Sequence, residues 1–149
     1  MPSPAPSQPT EVCPGCGAVL VPLPDSGAAH AGASPSCSRL FEVTLHGLRE
    51  ETGTDPSAAA VVALSDDTYA AQHPAPGDPT VLQAALERLR RSLGKRAVPE
   101  GSEPPARWRT TIADVAADLD VIDLPVLVES WARSVLEDWT AARSPRSGS

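Results

Sequence analysis

The chain has 149 residues, a formal net charge of −7 and a core-forming set dominated by aliphatic side chains, with one Phe, one Tyr and three Trp. This length suits one domain, and the acidic balance disfavours nucleic acid and anionic lipid as partners because both are polyanions. The sequence contains no run of about 18 apolar residues and no basic and apolar leader, so we expect a cytoplasmic protein without a membrane segment.

The first feature along the chain is a proline-rich segment followed by a cysteine motif. Residues 1–11 are predicted to form a disordered tail, because residues 1–10 hold four prolines and no charged side chain. Residues 12–142 are predicted to form a single zinc-binding helical domain, and residues 143–149 a second disordered tail. Residues 19–23 are expected to include a short extended segment within a loop that reaches residue 35.

The cysteines form the most informative pattern. Cys13 and Cys16 lie in the sequence CPGCG, and Cys37 follows 21 residues later. The CxxC spacing lets two thiolates converge on one tetrahedral ion, and the glycines permit a tight turn around it. An odd number of cysteines in a reducing compartment favours a metal over disulfides, and zinc suits these donors. A redox pair or three unconnected cysteines are the alternatives.

Two helices are predicted after the cysteine motif. The first follows Cys37, is capped by Ser36 or Ser38 and ends near Gly53. Its apolar face has helical spacing and comprises Leu40, Phe41, Leu45 and Leu48. The second runs over about 57–72, with a break expected around 65–67, and Pro74 disfavours helix at the residue before it.

A third helix is predicted from Asp78 and Pro79, which supply an N-cap and a first helical residue, to Gly94. Its apolar stripe comprises Leu82, Leu86, Leu89 and Leu93. The same segment carries a basic cluster: Arg88, Arg90, Arg91, Lys95 and Arg96. We interpret this cluster as a solvated helix face, with docking of an acidic protein as the alternative.

Two further helices are predicted after a loop over residues 97–107. Thr111 and Asp114 form a capping-box pattern that opens a short helix, whose inward residues are Ile112, Val115 and Leu119. The last helix runs from about residue 125 to about residue 142. Its broad apolar face, which we assign to the core, comprises Leu127, Val128, Trp131, Val135 and Trp139.

Three histidines compete to be the fourth metal ligand. His46 lies within the first helix, too far along the axis from Cys37 to share an ion at the helix start. His30 lies in an alanine-rich loop, where fixing a ligand costs conformational entropy. His73 lies where the second helix ends, and an irregular backbone can direct its imidazole toward the cysteines. We therefore predict a metal site formed by Cys13, Cys16, Cys37 and His73, and keep His30 as the alternative.

The residues before His73 carry further chemistry. Asp67, Tyr69 and Gln72 could assist proton transfer, but they could equally orient a zinc ligand, which is our preferred interpretation. None of the motifs GxGxxG, GxxxxGK, HExxH and GxSxG occurs in the chain.

The motifs together resemble an uncharacterised bacterial family, found mainly in actinobacteria. The resemblance rests on the CPGCG start, His30, the lone Cys37 after a small-residue stretch, the DxYxxQHP pattern at residues 67–74, and a closing helix with Trp131 and Trp139. The chain departs from the family pattern at Ser38, where an aromatic residue is expected, and over 83–86, where a histidine is expected before a leucine. The resemblance implies a zinc-linked helical fold and no reaction.

These observations predict an all-α fold, a small bundle of four or five helices with an N-terminal zinc-knuckle loop. The favoured function is a binding or accessory module whose zinc is mainly structural and whose partner is another protein. The alternative is a zinc-dependent enzyme of hydrolase type, with an open coordination position near His73. The sequence leaves enzymatic activity and oligomeric state open.

Overall fold

The computed structural model describes residues 10–22, 30–75, 77–95 and 104–143. Across these ranges the chain forms five helices and a two-stranded sheet, so the predicted all-α bundle is confirmed. The elements are β1 (Glu11–Val12), β2 (Val19–Leu20), α1 (Pro35–Glu51), α2 (Pro56–Gln72), α3 (Pro79–Leu93), α4 (Ile112–Asp118) and α5 (Leu124–Arg143). None of the described helices combines the length and the apolar character that crossing a bilayer requires.

Helix α1 begins earlier than predicted. Its N-cap is Ser34, whose side chain accepts a hydrogen bond from the Cys37 amide, and Pro35 is the first helical residue. The predicted caps, Ser36 and Ser38, are therefore wrong. The Ser-Pro pair fixes the helix start because a proline at the first position needs no hydrogen-bond partner. As a result, Cys37 lies in the first turn of α1 and not before it.

Helix α2 is continuous, so the break predicted around residues 65–67 is wrong. The hydroxyl of Ser65 donates to the Val62 carbonyl, and the hydroxyl of Thr68 donates to the Leu64 carbonyl. Both polar side chains are buried and return their hydrogen bonds to the helix's own backbone. This bonding satisfies them without interrupting the helix.

The caps of α3 and α4 match the prediction. Asp78 caps α3, which ends at Gly94 in the left-handed conformation with φ of 67°. Thr111 and Asp114 form the full capping box of α4. One inward assignment is wrong: Leu119 lies just beyond α4 and is 39% exposed, whereas Ile112 and Val115 are buried. The helix ends before Leu119 can turn toward the core.

The core lies where α2 packs against α1, α3 and α5. Trp131 and Trp139 of α5 are fully buried, as predicted. The indole nitrogen of Trp131 donates to the Gln72 side chain at 3.1 Å, and that of Trp139 donates to the Ala71 carbonyl at 2.9 Å. Each indole thus buries a large apolar surface while its N–H group stays hydrogen-bonded. Both bonds hold the C-terminal end of α2 against α5.

The N-terminal hairpin was only partly anticipated. Strand β2 falls within the predicted extended segment, whose last residue, Leu23, lies outside the described residues. Strand β1 was not predicted: Glu11 pairs with Leu20, and Val12 pairs with Val19. Glu11, assigned to the tail from the sequence, therefore belongs to the folded part. The rest of that predicted tail up to residue 9, and residues 144–149 of the second, lie outside the described residues.

Candidate metal centre

The hairpin presents the first two cysteines on a tight turn. The Cys13 amide donates to the Ala18 carbonyl at 2.9 Å, and the Gly17 amide donates to the Cys13 carbonyl at 2.9 Å. Gly17 has a φ of 79°, a conformation that glycine adopts without steric cost. The turn folds back on itself within five residues and buries both Cys13 and Cys16.

The start of α1 brings the third cysteine to this turn. Cys37 is fully buried, and its sulfur lies 3.8 Å from the Cys16 sulfur. The amide of Ser34, the N-cap, donates to the Cys13 sulfur at 3.4 Å. The Ser36 hydroxyl also donates to the Glu11 carboxylate at 2.5 Å, which joins the helix start to β1. Cys37 lies in the first turn of the helix, where the macrodipole favours negative charge on sulfur.

His73 completes the group from the C-terminal end of α2. It is fully buried and leaves the helix with φ of −128° and ψ of 65°. Its Nδ1 lies 2.8 Å from the Tyr69 carbonyl, and a carbonyl only accepts, so Nδ1 carries the hydrogen. The Nε2 atom is therefore left with its lone pair, and it lies 3.5 Å from the Cys37 sulfur. This arrangement is the usual one for a metal-binding histidine.

The four donor atoms, of Cys13, Cys16, Cys37 and His73, all lie within 4.8 Å of one another, and the group could hold a metal ion. Tetrahedral zinc with ordinary bond lengths separates two sulfurs by about 3.8 Å and a sulfur from a nitrogen by about 3.6 Å. The observed separations of 3.8 and 3.5 Å match both values. The same distances are far too long for a disulfide, and all three cysteines are free.

Two glycines let the loops close around His73. A Cβ atom on Gly15 would lie 2.5 Å from the His73 ring and 2.5 Å from the Gly32 carbonyl oxygen. A Cβ atom on Gly32, whose φ is 84°, would lie 2.7 Å from the Pro74 carbonyl oxygen. Only glycine fits at either position without displacing backbone. The sequence indicated a turn at Gly15, but no local pattern indicated the role of Gly32.

Aromatic residues enclose the cluster on two sides. The Tyr69 hydroxyl donates to the Cys37 sulfur at 3.2 Å, and the Tyr69 ring stacks on Phe41 with centroids 4.1 Å apart. The indole of Trp108 donates to the Gly15 carbonyl at 2.9 Å from a segment 93 residues away. Sequence reasoning missed Trp108, because it lies in an irregular stretch where periodicity gives no signal.

Without a bound cation, the three neighbouring thiols cannot all ionise, because their negative charges would repel one another. Hydrogen bonding from Cys16 lowers the pKa of Cys13, and the same contact raises the pKa of Cys16. Hydrogen bonding with Cys13 raises the pKa of Cys37 to about 12. One thiolate is thus favoured, and a second or third is disfavoured by its neighbours and by burial. A bound cation would remove this penalty by supplying positive charge.

The remaining predicted residues take other roles. His30 is exposed, its Nδ1 lies 2.7 Å from the Ala31 carbonyl, and its ring contacts the edge of Tyr69. His46 is exposed and pairs with Glu50. Neither belongs to the donor cluster within the described residues.

The polar residues before His73 also make structural contacts. Asp67 forms an ion pair with Arg88 at 2.8 Å, and burial raises the pKa of the Asp67 carboxyl group. The Gln72 amide nitrogen donates to the Thr110 carbonyl at 2.7 Å, while its oxygen accepts from Trp131. Burial raises the pKa of Tyr69, so its hydroxyl remains a hydrogen-bond donor at neutral pH. These side chains support the C-terminal half of α2.

Removing the Tyr69 hydroxyl is expected to weaken metal binding without unfolding the domain. In Tyr69→Phe the stacked ring is kept and the hydrogen bond to the Cys37 sulfur is lost. Loss of such a contact to a ligand typically costs about 10- to 100-fold in metal affinity. Competition with a chromophoric chelator measures this change, and helical circular dichroism should stay at the wild-type level. An unchanged affinity would contradict a role for the hydroxyl in orienting the sulfur.

The fold and the site define the molecule as a small helical domain whose N-terminal hairpin and two helix ends meet at a buried Cys3His cluster. Comparison with family models adds membership: a family of unknown function, DUF5946, matches residues 11–140. The chain belongs to that family, which confirms the predicted membership of an uncharacterised family. No curated protein and no solved structure matches the chain.

Proposed function

We propose that Cys13, Cys16, Cys37 and His73 bind one zinc ion whose role is mainly structural. The observation that carries this proposal is the geometry of the four donors. All are buried within 4.8 Å of one another, and the Cys16–Cys37 sulfur–sulfur and Cys37–His73 sulfur–nitrogen separations match those of a tetrahedral zinc site. Four protein ligands fill the coordination of such a site, which is typical of structural zinc.

The origin of the four donors supports a structural role. They come from three segments: the N-terminal hairpin, the start of α1 and the end of α2. The hairpin contributes two strand residues on each side, which is too little to fold by itself. Joining it to two helix ends through one ion closes loops of 21 and 36 residues between ligands. The ion would thus hold the N-terminal segment on the bundle.

We further propose that the domain acts as a binding or accessory module in the cytoplasm. The polar side chains that precede His73 on α2, those of Asp67, Tyr69 and Gln72, bond to other groups of the domain. This engagement is typical of residues that support a metal ligand. A reducing compartment would keep three free cysteines available for the metal.

The alternative is a zinc-dependent enzyme of hydrolase type, in which one coordination position binds water. One observation favours it: a cavity of about 480 Å³ adjoins the knuckle and is lined by Cys13, Cys16, Arg107 and Trp108 among others. In this alternative, His73 cannot be a metal ligand, because water takes the fourth coordination position. Because His73 is fully buried with Nε2 facing Cys37, the geometry favours the closed site.

The basic segment of α3 is less available for an acidic partner than its sequence suggests. Arg90 and Arg91 both pair with Glu87, and Arg88 pairs with Asp67. The contacts with Arg90 and Arg91 lower the pKa of Glu87 to about 2, chiefly through the hydrogen bond from Arg90. The residue that would extend this cluster, Arg96, lies outside the described residues. The ion pairs therefore favour a solvated helix face.

Purified protein without an affinity tag is expected to contain about one zinc ion per chain. Chelation should release the ion and reduce helical circular dichroism, because ligand binding and folding are coupled in sites of this kind. Elemental analysis measures the zinc content, and titration with a chelator followed by circular dichroism measures the coupling. A chain that stays fully folded and helical after its metal is removed would contradict a structural role.

A further inference from the structure

The corner between α4 and α5 exposes an apolar patch. It consists of four aliphatic residues within eight positions, with exposures of 39%, 80%, 38% and 60%: Leu119, Val121, Ile122 and Val126. Single exposed aliphatic residues are common on soluble proteins and need no explanation. Four such residues within eight positions are different, because clustered apolar surface is typical of an interaction site. We call these four residues the corner patch.

The backbone of this corner is ordered by its own hydrogen bonds. The amides of Val121 and Ile122 both donate to the Asp118 carbonyl, at 3.0 Å each. The Leu127 amide donates to the Asp123 carbonyl at 3.1 Å. The turn therefore holds its aliphatic side chains outward on a fixed backbone. Such preorganisation lowers the entropy that a partner must remove on binding.

A shallow groove continues the corner patch along α5. It has a volume of about 280 Å³ and is lined by Val126, Glu129, Ser130 and Arg133. Glu129 and Arg133 pair with each other at 2.9 Å, so the groove carries no unbalanced charge of its own. The lining residues recur at positions 126, 129, 130 and 133, which is the spacing of one face of a helix. A helix of another protein could lie along this face with its apolar residues on the corner patch.

Acidic residues alternate with the corner patch along the chain. Asp118, Asp120 and Asp123 are exposed, and among the residues that the structure describes none of their carboxylates forms an ion pair. We call these three residues the acidic rim. An apolar surface with an acidic rim complements a partner that carries basic residues beside an apolar stripe.

We propose that the corner patch and the acidic rim bind an amphipathic helix of another protein whose apolar face is bordered by Lys or Arg. A second copy of this chain fits less well, because a symmetric contact would place two acidic rims face to face. This proposal rests on the function proposed above, that the domain is a binding module. It identifies the surface that the module uses and the chemistry of the partner. It does not depend on which metal occupies the cluster.

The probe is a synthetic 18-residue helical peptide with Leu on one face and Lys on the other, labelled for fluorescence anisotropy. It is titrated against the zinc-loaded full chain, whose zinc content and helical signal are measured in the same sample. We expect saturable binding that weakens as salt rises. Val121→Ser with Val126→Ser should lower the affinity at least tenfold. Neutralising the acidic rim by Asp→Asn changes at 118, 120 and 123 should weaken binding and flatten the salt dependence.

Matched controls lie on the outer face of α1. Glu42, Glu50 and Glu51 changed to Gln alter the net charge by the same amount, and Val43→Ser removes an aliphatic residue that is 55% exposed. These variants should bind the peptide like wild type. The proposal is overturned if the peptide fails to bind, if the controls lose as much affinity, or if a Leu/Glu peptide binds equally well.

Sedimentation equilibrium tests whether a second copy of this chain, and not another protein, binds the corner patch. A dimer of the free chain that dissociates in the Val121→Ser, Val126→Ser variant would assign the corner patch to self-association and overturn the proposal. We expect a monomer in both samples. Failure of peptide binding in protein that retains its zinc and helical signal would reject this surface alone, whereas a full helical signal in protein without zinc would contradict the structural role proposed for the metal.

Discussion

Replacing His73 with alanine is expected to lower zinc affinity by about 100- to 1000-fold. Structural zinc sites bind with about 10–16 kcal/mol in total, so one of four ligands contributes about 2.5–4 kcal/mol if the energy is shared equally. The imidazole is fully buried, with Nε2 aimed at the sulfur of Cys37 and Nδ1 bonded to the Tyr69 carbonyl. Its removal also leaves a cavity, although the Tyr69 carbonyl keeps the hydrogen bond from the backbone amide at position 73.

Competition with a chromophoric chelator measures the affinity, and thermal unfolding followed by circular dichroism measures the stability. The matched control is His30→Ala, because His30 is exposed, lies outside the donor cluster and meets the site only through ring contacts with Tyr69 and His73. We expect that variant to bind zinc within a few-fold of wild type. A larger loss for His30→Ala than for His73→Ala would move the fourth ligand into the loop.

The second large effect is expected from a single added methyl group. In Gly15→Ala, the new Cβ would lie 2.5 Å from both the His73 ring and the Gly32 carbonyl oxygen. Neither neighbour can move cheaply, because one is a fully buried ring and the other is backbone. We expect a loss of about 2–3 kcal/mol in stability, comparable with other overpacked sites, and a marked loss of zinc affinity. Thermal unfolding should shift down by about 5–10 °C.

Gly47→Ala is the control for this variant. Gly47 lies inside α1, and nothing lies within 4 Å of the position that the added methyl carbon would occupy, so alanine only reduces backbone freedom there. It should raise the stability by about 0.5–1 kcal/mol. A Gly15→Ala protein that unfolds at the wild-type temperature and binds zinc normally would show that the loops around His73 are looser than this packing implies.

Much of the bundle could be predicted from sequence because its signals are local. The stripe from Leu82 to Leu93, with Asp78 before it and Gly94 after it, contains the start, the face and the end of α3. The capping box at Thr111 likewise marks the start of α4 within four residues. Such patterns depend on spacing along one helix and need no knowledge of tertiary contacts.

The errors occurred where tertiary burial overrides a local signal. A break was predicted around residues 65–67, but in the packed helix Ser65 is buried and bonds to the carbonyl three residues earlier, as nearby Thr68 does to the carbonyl four residues earlier. The helix start at Ser34 was misplaced because several serines surround Cys37, and only the structure shows which one accepts from its amide. Leu119 fits the helical period of α4, yet that helix ends at Asp118.

The candidate site was likewise predictable from sequence only in part. Donor chemistry and helix ends predicted the grouping of three cysteines with His73, since the chain has only three thiols and three imidazoles. The contacts that shape the site could not be predicted from one sequence. Trp108 reaches Gly15 across 93 positions, and Gly32 packs against Pro74 from a loop without periodicity. Non-local contacts of this kind have no signature in spacing.

X-ray absorption spectroscopy at the zinc edge tests the central claim most directly, because it counts sulfur and nitrogen neighbours of the metal in the purified protein. We predict three sulfur ligands at about 2.3 Å and one nitrogen at about 2.0–2.1 Å, with imidazole scattering that disappears in His73→Ala. A fourth neighbour that is water oxygen, or a spectrum with fewer than three sulfurs, would contradict the closed Cys3His site.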